Sequence, residues 1–77
     1  MTYQDIVTLI AIKAALAPSS ARLVARLYYR WGILYKDKRR GYYIPDAAYW
    51  EPERIARHCR IARDKYARPS VRKEVPA

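Results

Sequence analysis

Pro18, Gly32, Gly41, Pro45, Pro52 and Pro69 cut this chain into segments that can each hold one element of secondary structure and little more. Proline lacks a backbone donor and disfavours helix at the residue before it, while glycine takes the positive φ that ends helices and closes hairpins. Ahead of Pro18, Thr2 and Asp5 have the spacing of a capping box in its weaker aspartate form, which predicts a first helix from about residue 3 to 16. Its apolar residues Ile6, Val7, Leu9, Ile10, Ile12 and Leu16 cover more than the single face that a surface helix buries. Such a helix is expected to lie at the centre of the core or to form half of a homodimer contact.

The run APSS, with a serine placed to cap, opens a second helix predicted over about 20 to 31, which Gly32 ends. At 100° per residue Leu23, Val24, Leu27 and Trp31 share a packing face, and Ser19, Arg22, Arg26, Tyr29 and Arg30 share the adjacent one. Two short β-forming runs, Ile33 to Lys36 and Tyr42 to Ile44, flank DKRRG and predict an antiparallel hairpin with a basic tip. Pro52 suits the first turn of a third helix over about 52 to 67, with a narrow seam of Ile55, Cys59, Ala62 and Tyr66 among many arginines. After Pro69 the chain has nothing to bury. The expected organisation is one small α+β, mostly helical domain over 1–68, ordered helix, helix, β-hairpin, helix, and a flexible basic tail over 69–77.

Charge narrows the function. The net charge is +9, and residues 18 to 45 alone hold seven bases against Asp37, whereas residues 1 to 17 sum to zero. Arginine outnumbers lysine 11 to 5, which favours forked contacts to phosphate or carboxylate. Surface helices usually mix signs, so Arg22, Arg26 and Arg30 at four-residue spacing without an acid mark a nucleic-acid footprint. Lys36, Lys38, Arg39 and Arg40 extend it along the hairpin, and Arg57 and Arg60 of the third helix are candidates for phosphate contact.

Other chemistries find few residues. A single cysteine, Cys59, excludes an internal disulfide framework and fits a reducing compartment, so a cytoplasmic protein is expected. The apolar run from Ile6 to Ala17 is too short to span a bilayer and lacks a basic flank, and the third helix lacks the bulky apolar face of a lipid-bound helix, so no membrane role is expected. His58 beside Cys59 has no companions for a zinc site, and the chain has no glycine-rich phosphate loop and no paired carboxylates in a plausible pocket. A non-enzyme without metal or cofactor is expected. Of the aromatics, Trp31, Tyr35, Tyr43 and Trp50 are expected in the core, with Tyr28, Tyr29 and Tyr42 as candidates for a binding surface.

The stretch ALAPSSARLVARLYYRWGIL followed by YKDKRRGYYI resembles the turn, recognition helix and wing of a winged helix-turn-helix DNA-binding domain, over residues 6 to 46. Ala15 stands where that family often has glycine, and the third helix or a second subunit would supply a further packing layer. The resemblance implies that Ser19, Ser20, Arg22 and Arg26 meet base edges in the major groove while Lys38, Arg39 and Arg40 reach phosphate or the minor groove. A duplex-DNA-binding transcriptional regulator is the leading expectation. Two others stand beside it: binding to RNA, and a protein-binding inhibitor or adaptor, such as a phage-encoded anti-defence protein, that meets an acidic partner surface.

Overall fold

Helix termini and one hairpin set the architecture of the computed structural model, which describes residues 1–67. Helix α1 spans Tyr3–Ala14 and α2 spans Pro18–Arg30. The strands β1, Tyr35–Asp37, and β2, Gly41–Tyr43, pair antiparallel, and a 3₁₀ turn, Ala47–Trp50, leads into α3, Pro52–Ala62. A π-type turn over Arg63–Ala67 continues α3. Arg68 and the expected tail lie outside the described residues.

The capping box forms in full. Thr2 Oγ1 accepts from the Asp5 N–H at 3.1 Å, and the Asp5 carboxylate accepts from the Thr2 N–H at 3.0 Å. At its other end α1 stops two residues short of the expected 16, because Ala15 adopts the left-handed conformation, φ 53° and ψ 48°. The Leu16 N–H then closes onto the Ala11 carbonyl at 2.9 Å, the long bond of a Schellman turn. An L-residue there is strained by about 1–2 kcal/mol. Ala15 is exposed and packs nothing that glycine would lose. Ala15→Gly is therefore expected to stabilise the fold by about 0.5–1 kcal/mol after the added freedom of the unfolded chain is subtracted. The urea midpoint should rise at unchanged slope; a lower midpoint would remove the strain from this turn.

Helix α2 starts two residues earlier than expected, and the serine cap is corrected. Ala17 is the extended residue at the N-terminus with no side-chain cap, Pro18 is the first helical residue, and Ser19 and Ser20 lie inside the first turn. Proline's fixed φ and missing N–H suit that position better than they suit a linker, so the helix begins at the breaker itself. The two helices meet at 115° across the three residues Ala15 to Ala17.

The core joins Ile6, Val7 and Ile10 of α1 to Ala21, Val24, Ala25, Leu27 and Tyr28 of α2, with Ile55, Cys59 and Ala62 of α3 and the hairpin flanks Leu34 and Ile44. Helix α3 packs on both α1 and α2 and so provides the third helical layer. The packing face of α2 differs in part from the one its spacing predicts. Leu23 is only half-buried and Trp31, at the helix end, is 44% exposed, whereas Ala21, Ala25 and Tyr28 are fully buried. Two alanines let neighbouring backbones approach, and Tyr28 reaches across to α3. Tyr35, also expected in the core, is 49% exposed, and Tyr43 and Trp50 are half-buried.

The hairpin pairs Tyr35 with Tyr43, Lys36 with Tyr42 and Asp37 with Gly41. Asp37, the one acid of the loop, accepts from the Arg39 N–H at 2.7 Å and fixes the turn. Met1 lies along the free edge of β2. Its amino group donates to the Arg40 carbonyl at 2.8 Å, and its carbonyl accepts from the Tyr42 N–H at 2.7 Å. Among the described residues no single helix is long and apolar enough to cross a membrane.

Candidate nucleic-acid interface

Because Ala21, Val24, Ala25, Leu27 and Tyr28 hold one side of α2 against the core, the opposite side of the helix faces outward. Ser19, Arg22, Arg26, Tyr29 and Arg30 are all exposed, and Ser20 is half-buried. No carboxylate pairs with Arg22, Arg26 or Arg30 among the described residues.

Aromatic contacts tie this stripe to the hairpin. The Tyr29 and Tyr42 rings meet edge-on at 6.2 Å, and Tyr42 meets Tyr3 at 5.2 Å. The Lys36 ammonium lies 5.6 Å over the Tyr42 ring, and the Arg26 guanidinium lies 4.6 Å over Tyr66. Burial and the neighbouring Tyr42 push the Tyr3 hydroxyl up, against the opposing pull of Arg26 and Arg22. One surface thus runs from Arg22 and Arg26 through Tyr3, Tyr29 and Tyr42 to Lys36.

Side-chain alternation along the strands divides the remaining hairpin bases. Tyr35 and Tyr43 stack at 5.8 Å on the opposite face, where Arg40 lies 5.2 Å over Tyr43. Lys38 and Arg39 are exposed at the tip. Arg57 and Arg60 are exposed on α3, and among the described residues no hydrogen bond, ion pair or ring contact joins them to the stripe.

Tyr3 and Tyr66 are the members that sequence reasoning missed. Each is far from α2 along the chain, and Tyr66 reaches Arg26 only because the π-type turn carries the chain back across that helix. Tyr28, expected on the binding surface, belongs elsewhere. It is fully buried, and its hydroxyl shares a 2.7 Å hydrogen bond with His58 Nδ1. His58 also stacks on Tyr49 at 5.9 Å and meets the Trp31 ring edge-on at 5.3 Å. Cys59 is buried beside it, and among the described residues no three His, Cys, Asp or Glu side chains gather as a metal site.

No family model matches the chain, and neither does any curated protein or solved structure.

The aromatic setting of His58 has a measurable consequence. Burial, and then Arg54 and Arg57, hold its imidazole below the ordinary histidine value of 6.5. The unfolded chain therefore binds this proton at a higher pH than the folded one. Stability from neutral His58 is complete above about pH 6.5 and is lost as pH falls toward the folded value. The thermal midpoint is expected to drop between about pH 7.5 and pH 5, and to drop less in His58→Gln. An equal drop in both proteins would assign the pH dependence to other groups.

Proposed function

We propose that this chain is a small, cytoplasmic, non-enzymatic DNA-binding protein of winged-helix type, a transcriptional regulator that places α2 in the major groove and holds phosphate with the hairpin. The observation that carries the reading is the exposed cationic face of α2, whose arginines have no carboxylate partner among the described residues and which continues through Tyr29 and Tyr42 to Lys36 of the hairpin. The angle of 115° and the three-residue turn between α1 and α2 support it, being those of a helix-turn-helix pair. Ser19, Ser20 and Arg22 near the start of α2, with Arg26 one turn further along, are the base-reading positions in this proposal, and Lys38 and Arg39 serve as phosphate contacts at the tip.

The test is fluorescence anisotropy on labelled random duplex DNA across a salt series, with unlabelled RNA and single-stranded DNA as competitors. Seven cations lie on α2 and the hairpin, Arg22, Arg26, Arg30, Lys36, Lys38, Arg39 and Arg40. If five to seven of them release counterions, log affinity should fall against log salt with a slope of about −4.5 to −6.3. Stronger competition by RNA would transfer the reading to RNA. Absence of binding at low salt would overturn it and leave an acidic protein as the partner of this face.

A further inference from the structure

Helix α1 carries more apolar surface than the core takes up. Ile6, Val7 and Ile10 are buried, Leu9 is half-buried, and Ile12 is 70% exposed, the largest exposure among the described bulky apolar residues. Beside α1 lies an open groove of about 600 Å³, where Met1, Leu9 and Lys13 face Trp50, Glu51 and Pro52. Leu9 and Ile12 lie 60° apart around the helix at 100° per residue. A protruding side chain and an apolar hollow therefore share one face, the arrangement that a twofold axis can satisfy with itself.

Charge selects the occupant. The chain carries +9, with its densest positive charge on α2 and the hairpin. Asp5, Lys13, Glu51 and the Met1 ammonium, the charged groups at this groove and on the outer side of α1, sum to zero. Neither nucleic acid nor an acidic protein gains attraction here. Two copies of the chain repel through their cationic faces and meet without that repulsion only through a face such as this one. Lys13 and Glu51 line the same groove, so a second copy turned by 180° offers each of them its opposite.

We propose that this groove is a homodimer contact, with Ile12 of each copy seated against Leu9 and Trp50 of the other and with Lys13 and Glu51 paired reciprocally between copies.

Sedimentation equilibrium of the full chain from about 1 to about 100 μM should show a concentration-dependent monomer–dimer exchange. Ile12→Asp, at an exposed position that leaves the fold intact by circular dichroism, should weaken the dimer at least about tenfold. Lys13→Glu alone and Glu51→Lys alone should each self-associate less than the parent chain. A mixture of those two variants should recover dimer, since one variant then presents acids at both positions of the groove and the other presents bases at both. A strictly monomeric parent chain would overturn the proposal. So would a dimer unaffected by Ile12→Asp and by mixing, which would place the contact on another face.

Discussion

The Arg22→Ala, Arg26→Ala double variant is expected to lose at least about thirtyfold in affinity for duplex DNA, since each base-reading arginine contributes about 1–3 kcal/mol. Both guanidinium groups lie on the outward face of α2, and neither has a carboxylate partner among the described residues to compensate for its removal. Fold stability should change little, because the substitution removes the stacking of Arg26 on Tyr66, worth about 0.5–1 kcal/mol at an exposed site. Each single substitution should also relax sequence preference. Lys38→Ala or Arg39→Ala should instead weaken all sequences alike and flatten the salt slope by about one. Equal losses on every sequence for all four substitutions would remove base reading from α2. Unchanged binding in the double variant would remove the helix from the interface altogether.

Gly41→Ala is expected to destabilise the fold by about 2–4 kcal/mol, a large part of the roughly 4–11 kcal/mol available to a chain of this size. Two separate effects add at this position. Its φ of +77° strains any L-residue, and a Cβ there would collide with the backbone carbonyl oxygen of Met1. Relieving the collision moves Met1 away from β2 and breaks its bonds to Arg40 and Tyr42. Gly32 is the natural control. It has the same φ, but a Cβ there meets nothing within 4 Å, so Gly32→Ala should lose only about 1–2 kcal/mol. Urea unfolding of both variants measures the difference. Equal losses would show that the Met1 edge contributes nothing to stability.

The order of elements was legible because breakers act locally. Pro18, Gly32, Gly41 and Pro52 each stand at a helix end, a turn or a helix start. The capping box at Thr2 and Asp5 was legible for the same reason, since both partners lie within one turn. The tyrosines were not. Whether Tyr28 or Trp31 enters the core depends on what stands opposite, and His58 satisfies the Tyr28 hydroxyl from thirty residues away. Trp31 satisfies the helical spacing of the packing face yet caps the end of α2, where it stays 44% exposed and meets His58 of α3 edge-on. The cationic stripe itself followed from the 3.6-residue period. Its connection to the hairpin through Tyr29 and Tyr42 did not, because cross-element ring contacts depend on how the hairpin folds back onto α2.

Arg26 enters any encounter already arranged. Its guanidinium lies 4.6 Å over the ring of Tyr66, from the turn that follows α3, and this contact restricts the rotamers open to a free surface arginine when the domain folds. Immobilising such a side chain at an interface ordinarily costs about 0.5–1.5 kcal/mol at the moment of association. Here that ordering takes place during folding, and the ring of Tyr66 sets the orientation of the donor fork before any partner arrives.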